Sequence, residues 1–332
     1  MKKTISALLA AVLLCGTFAL AGCDSSTTSS AAASAAGETS SVAASSETAS
    51  AAESETGSEA GTTSIDTTVS GTVTGSGSSA LLPLVQDAAD KYKELNPNVS
   101  ITLSAGGSGQ GLKQVSDGTV DIGNSDVEAD TKLEADKAAE LVDHKVCVVT
   151  MAAVVNNDIG ATVNDLTKEE LTKIFTGEIK NWSEVGGPDE EIVLVTRPTT
   201  SGTRALFKEY AMDGAEELSG GSLETDDSGT LLQSVQDNAG AIGYVALSYL
   251  TGDNADKVTK ISIDGVEPTL ENTYNGTYPV WGYEHMYTKG EASGAVKAFI
   301  DYICSDDYAP NMEELGYGVT SKLSDEAVQS HE

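Results

Sequence analysis

The sequence predicts an α/β protein built on parallel sheets, and three observations carry that expectation. A β-branched, alternating segment from Thr67 to Thr74 runs into Gly75-Ser76-Gly77-Ser78-Ser79 and then into an apolar helical pattern. The same order of strand, glycine loop and helix returns at Val99–Leu103, Ala105-Gly106-Gly107-Ser108-Gly109 and Gly111–Ser116. It returns again at Glu191–Thr196, where Arg197-Pro198-Thr199-Thr200-Ser201-Gly202-Thr203 leads into a helix near Arg204. Strands that alternate with helices pair parallel, because each crossover helix packs back onto the sheet.

Each element has a local reason. The first helix carries Leu81, Leu84, Val85, Ala88, Ala89, Tyr92 and Leu95 on one face. Ser79 is its expected N-cap, Pro83 sits in the first turn where a missing N–H costs little, and Asn96-Pro97 stops it. The second helix is closed by Gly118, and a third strand, Val120–Gly123, ends in Asn124-Ser125-Asp126. The helix near Arg204 presents Leu206, Phe207 and Tyr210 on one face.

With 332 residues, 39% of them hydrophobic, the chain suffices for one large domain or two of ordinary size. Lys+Arg 19 against Asp+Glu 51 leaves a net charge of −32, which argues against nucleic acid or an anionic membrane surface as partner. A small anion is not excluded, since its site needs only a few local donors and distant charge is screened within about 10 Å. Cys147 and Cys304 are isolated, with no CxxC and no histidine at ligand spacing, so no metal site is expected. A disulfide between them and two free thiols both fit, free thiols being the plainer expectation.

Residues 1–22 read as an export signal, with Lys2 and Lys3 ahead of an apolar stretch from Ile5 to Leu20. The stretch ends in Leu20-Ala21-Gly22-Cys23, which resembles the lipobox of bacterial lipoproteins. That resemblance implies a diacylglyceryl group on Cys23 and cleavage before it. Residues 23–65 are almost entirely Ser, Ala, Thr, Glu and Gly, a composition too poor in apolar surface to offset the entropy of ordering. As a flexible coil the segment would reach about 35–40 Å, the length of a tether.

The three loops share one chemistry. Glycines let backbone approach a ligand, and Ser or Thr hydroxyls stand at helix starts, where unpaired N–H groups and positive dipole ends point outward. With one arginine and one aspartate added, that donor set suits a compact tetrahedral oxyanion.

Gly75-Ser76-Gly77-Ser78-Ser79, Gly107-Ser108-Gly109, Asp121-Ile122-Gly123-Asn124-Ser125-Asp126, Arg197 with Ser201-Gly202-Thr203-Arg204, and Gly240-Ala241-Ile242-Gly243-Tyr244 occur in that order. Together they resemble the phosphate-binding proteins of phosphate ABC transporters, a group of the type II periplasmic binding proteins, over about residues 66 to 322. The resemblance implies two Rossmann-like lobes joined by crossing strands, with inorganic phosphate held between them. The first crossing is expected near Val148-Val149 and the return near Tyr278-Pro279-Val280. Lobe 1 then comprises residues 66–148 and 280–328, and lobe 2 residues 149–279. The matched positions are Ser79 with the Ala80 N–H, Ser108, Asp126, Arg197, Ser201, Gly202 and Thr203; the family often has Thr-Phe where this chain has Ser79-Ala80. Arg204 falls at a variable position with no implied role. Permease subunits and their ATPase are the implied partners, at the outer face of the cytoplasmic membrane, with no cofactor and no catalytic residue.

An aspartate beside an anion makes sense when the ligand keeps a proton to donate, as phosphate does and sulfate does not. Asp126 as a helix N-cap, or as the ion-pair partner of Arg197, also fits the sequence. Among other classes, Gly75–Ala80 satisfies a dinucleotide fingerprint, but the second strand ends at Leu103-Ser104 without the acidic residue that holds a ribose. Gly106-Gly107-Ser108-Gly109-Gln110 misses a nucleophile elbow at its last position, and His144, His285 and His331 lie in no base motif. An enzyme is therefore not expected. A surface sensor or adhesin on the same fold, or a module for another tetrahedral oxyanion, stays open on sequence alone.

Overall fold

The computed structural model describes residues 66–218, 220 and 223–331. The expected signal, Cys23 and the tether lie outside the described residues. The strands are β1 (Gly71–Gly77), β2 (Val99–Ala105), β3 (Ile122–Ser125), β4 (Leu141–Val155), β5 (Asp165–Leu166), β6 (Val193–Thr196), β7 (Leu223–Glu224), β8 (Ala241–Ala246), β9 (Thr259–Lys260), β10 (Ser262–Ile263) and β11 (Trp281–Lys289). Eight of them run in the order β2-β1-β3-β11-β4-β8-β6-β7, β9 pairs off β4, and β5 with β10 forms a separate two-stranded sheet.

β1 pairs parallel with β2 and β3, and β6 pairs parallel with β7 and β8, as the repeated units require. The sheet is nevertheless mixed, which corrects the expectation of parallel sheets. β11 is antiparallel to β3 and β4, and β4 is antiparallel to β8. The cause is connectivity: β4 runs along the sheet for fifteen residues and β11 brings the chain back beside it. β4 pairs with β11 as far as Thr150 and with β8 from Met151 onward, so it serves both parts of the sheet.

Helix α1 (Leu82–Leu95) buries Leu84, Val85, Ala88 and Tyr92, with Pro83 in its first turn as expected. Tyr92 packs its ring against Phe299 and Tyr302, while Leu95 is 48% exposed and closes no core. Across the sheet, the helix Gly202–Ala211 buries Leu206 and Phe207, each contributing about 1.5–3 kcal/mol. Phe207 stacks on Tyr244 at 4.1 Å between ring centroids. The strand ends differ from the sequence reading by a few residues, because the β1 ladder continues in register through Gly75, Ser76 and Gly77. Cys147, buried in β4, and Cys304 are free thiols. Among the described residues no helix is long and apolar enough to cross a membrane.

Candidate functional site

The carboxyl ends of β1, β2, β3 and β6 bring the loops together at one seam. Gly107 makes the second loop possible. Its φ of +86° belongs to the left-handed region, and it turns the chain so that α2 (Ser108–Ser116) starts three residues earlier than its apolar pattern suggests. Ser108 is fully buried, and its Oγ accepts from the Asp126 N–H at 3.1 Å. Gly109 N–H donates across the seam to the Thr200 carbonyl at 3.1 Å.

Ser79 departs from its expected part. The first helix begins at Leu82, and it is Ser78 Oγ that accepts from the Leu81 N–H at 3.0 Å. Freed from capping, Ser79 reaches across the seam, where its hydroxyl donates to the Asp226 carbonyl at 2.8 Å and lies 3.0 Å from Ser228 Oγ. With its own proton on Asp226, Ser79 accepts from Ser228. Ala80, fully buried, follows it.

The loop after β6 supplies the opposite wall. Ser201 caps the helix Gly202–Ala211 by accepting from the Arg204 N–H, and Thr203 Oγ1 donates to Asp126 Oδ2 at 2.6 Å. Gly202 is needed for close approach: a Cβ there would stand 2.3 Å from Ser108 Oγ and 3.0 Å from Asp126 Cβ. Arg197 is fully buried. Its Nη2 donates to Ser228 Oγ at 3.0 Å and to the Tyr244 carbonyl at 3.2 Å, whereas Nε has no hydrogen-bond partner. Asp126 caps no helix, since Glu128 is the cap residue of the following turn, and the hydrogen bonds of Arg197 go elsewhere. Both simpler readings of Asp126 therefore give way to its place in the seam.

Several participants escaped sequence reasoning. Ser228 starts the helix Ser228–Asp237 and links Arg197 to Ser79; the run Asp226-Asp227-Ser228-Gly229 before an apolar helix is the same signal as the other loops. Asp226 hangs over the second loop, its Oδ2 1.8 Å from where a Gly107 Cβ would be. Burial pushes the Asp226 carboxyl up to about 6, against the pull of Ser201 and Arg197. Lys132 spans the seam to the Thr199 and Ser201 carbonyls at 2.9 and 3.2 Å, and Tyr249 donates to the Ser79 carbonyl at 2.7 Å. Burial pulls the Lys132 pKa down while Asp126 and Asp226 oppose it. Arg204 holds the Arg197 carbonyl through Nη1 and pairs with Glu216 and Glu217, so it braces the arginine next to the seam.

Three helix starts, at Ser108, Gly202 and Ser228, thus converge on one spot with a guanidinium, an ammonium and a ring of hydroxyls. Such a site attracts an anion, and two carboxylates within it favour one that still carries a proton. A cavity of about 720 Å³ adjoins it, lined in part by Lys145, Tyr210, Trp281 and His331. Of the seam residues it touches Asp126 alone, and it is far larger than a tetrahedral oxyanion needs. Among the described residues no group of His, Cys, Asp and Glu has the arrangement to hold a metal ion.

The fold and the seam define a solute-binding protein. The profile of the PBP superfamily domain matches residues 62–307. A Bacillus subtilis relative, the phosphate-binding protein PstS, is 56% identical over 232 residues, covering 70% of this chain and 75% of its own. Among solved structures, a Clostridium perfringens protein assigned as a phosphate ABC transporter substrate-binding protein, with phosphate bound, aligns with a TM-score of 0.69 and 32% identity over 75% of this chain and all of its own. An ABC-type phosphate transport receptor from Vibrio cholerae aligns with a TM-score of 0.58 and 26% identity over 74% of this chain and 99% of its own. The chain belongs to the PBP superfamily, in the family of the phosphate-binding protein PstS. Its fold is that of the type II periplasmic binding proteins, and the family is one of transporter solute-binding proteins rather than enzymes.

Proposed function

We propose that the chain captures inorganic phosphate in this seam and delivers it to the permease and ATPase of an ABC transporter. The observation that carries the reading is the contact of Thr203 with Asp126 beside Gly202 and Ser108, which unites loops some 77 residues apart around one anion-sized spot. Ser79, Ala80, Gly202 and Thr203 donate to phosphate oxygens through their backbone N–H groups, the Ser79 and Thr203 hydroxyls being engaged by Asp226 and Asp126. Ser108, Ser201 and Arg197 donate from their side chains, and Asp126 accepts the ligand's own proton. The seam separates lobe 1 (66–148 and 280–328) from lobe 2 (149–279), and the change of partner within β4 after Thr150 supports a hinge there. Phosphate then stabilises the closed form by touching both lobes.

The deciding experiment is Asp126→Asn, titrated with phosphate and with sulfate. The amide keeps the shape, still accepts from phosphate, and can turn its NH₂ toward a ligand with no proton. Phosphate affinity is expected to change modestly, a charged hydrogen bond worth about 1.5–3 kcal/mol giving way to a neutral one with less repulsion. Sulfate affinity is expected to rise, so the phosphate-to-sulfate preference falls by at least about tenfold, or 1.4 kcal/mol. An unchanged preference refutes the proton-acceptor role.

The lipobox-like Leu20-Ala21-Gly22-Cys23 supports a lipid anchor on Cys23, holding the protein at the outer face of the cytoplasmic membrane on its tether. Cys23→Ser is expected to release the protein from the membrane fraction, or leave it unprocessed, with phosphate binding unchanged. A processed Ser variant that still sediments with membranes would falsify the anchor.

A further inference from the structure

Glu284 lies in the middle of β11, fully buried, and neither of its carboxyl oxygens has a donor partner. The antiparallel register that sets Tyr287, Met286 and His285 opposite Gly123, Asn124 and Ser125 carries Glu284 to the level of Asp126 at its next step. On its other side Glu284 stands opposite Cys147, at the point where a β-bulge shifts the ladder between Glu284 and His285. The register thus sets two buried carboxyl groups side by side, and Asp126 Oδ1, like both oxygens of Glu284, has no donor partner. Two ionised carboxylates are acceptors only, so nothing but a proton joins them.

We propose that Glu284 is a positioning residue for Asp126: a buried carboxylic acid that donates its proton to Asp126 Oδ1 and so fixes the charge and orientation of the carboxylate facing the ligand. The inference rests on the reading that Asp126 takes the phosphate proton, and it explains how that side chain is held. Thr203 donates to Oδ2 and Glu284 to Oδ1, leaving the remaining lone pairs of Asp126 for the ligand. By register Glu284 lies between Asp126 beyond β3 and Cys147 on β4, and the groups whose charge it feels or perturbs, Asp126, Cys147, Tyr249 and Tyr317, include no cation. Burial first, and Asp126 second, push the Glu284 carboxyl well above its usual range, so the acid form is the one the fold selects. One proton shared by two carboxyl groups is the arrangement that like charges in contact enforce.

The folded chain keeps a proton that the unfolded chain releases above about pH 4.5, so this group makes stability fall as pH rises. Glu284→Gln keeps a donor for Asp126 but cannot ionise, and Glu284→Leu removes the donor. The test uses the folded protein with inorganic phosphate as the probe. Infrared difference spectra at neutral pH should show a carboxylic-acid C=O band in the wild type that Glu284→Gln lacks. The melting temperature of Glu284→Gln should gain on the wild type as pH rises between about 5 and 8. Phosphate affinity should stay within about threefold in Glu284→Gln and drop by about tenfold or more in Glu284→Leu. Absence of the band, or a Leu variant that binds like wild type, overturns the proposal. A wild type that shows the band but binds no phosphate supports the carboxyl pair and refutes the phosphate reading instead. Should the Leu variant not fold, the infrared band and the Gln melting curve decide the matter alone.

Discussion

Arg197→Ala is expected to weaken phosphate binding by roughly 30- to several-thousand-fold. The guanidinium is fully buried, its Nε lacks a partner, its Nη2 already anchors Ser228 and the Tyr244 carbonyl, and its Nη1 reaches the Asp226 carbonyl. Truncating one member of a desolvated, charge-assisted pair costs about 2–5 kcal/mol, and each 1.4 kcal/mol is a factor of ten. Arg197→Lys should recover only part of the loss, because an ammonium keeps the charge but not the planar fork of donors. Calorimetry with phosphate reads both variants, and circular dichroism establishes that they fold. A loss below about threefold in a folded Ala variant would show that Arg197 does not touch the ligand.

Gly202→Ala is the second large effect, and its cause is steric. Gly202 is the first residue of its helix with ordinary backbone angles, so alanine strains no turn and favours the helix itself. The added methyl would stand 2.3 Å from Ser108 Oγ and force the two loops apart. Overpacking of this kind typically costs about 1–3 kcal/mol, which predicts phosphate affinity lower by about 5- to 150-fold. The loss should come in the closed form, so small-angle scattering with saturating phosphate should show less compaction than in the wild type. Wild-type affinity in this variant would mean that the loops do not meet when phosphate is bound.

Local sequence made much of the seam legible, because helix starts announce themselves. Ser108, Arg197, Ser201, Gly202 and Thr203 each sit where a strand pattern yields to glycine, hydroxyl and then an apolar helix, and Asp126 sits just past the end of the third strand. Ser79 carried the same signal, yet it is Ser78 that accepts from the turn ahead of the helix, while Ser79 reaches across the seam. Ser and Ser side by side do not say which one caps. Lys132 and Tyr249 stand in stretches without a periodic cue, and their partners are 67 to 170 residues away. Glu284 is the least legible. It lies inside a strand buried on both faces, and only the β11–β3 register shows that its neighbour is a carboxylate 158 residues earlier. The antiparallel centre of the sheet was hidden for a related reason: a βαβ pattern reports its own neighbours, while β4 and β11 are paired by the path of the whole chain.

The single strand Leu141–Val155 also bears on cooperativity. Its first part is hydrogen-bonded to β11 and its last part to β8, so one continuous strand carries both sectors of the sheet. Sharing that strand couples the two sectors, so a single unfolding transition is the expected result, checked by calorimetry and by the coincidence of near- and far-ultraviolet circular dichroism. A ligand seated far from most of the core then protects all of it: at a hundred times its dissociation constant it adds about 2.7 kcal/mol to every part of the fold at once. Removal of that ligand is then expected to lower the resistance of the body to proteolysis as a whole.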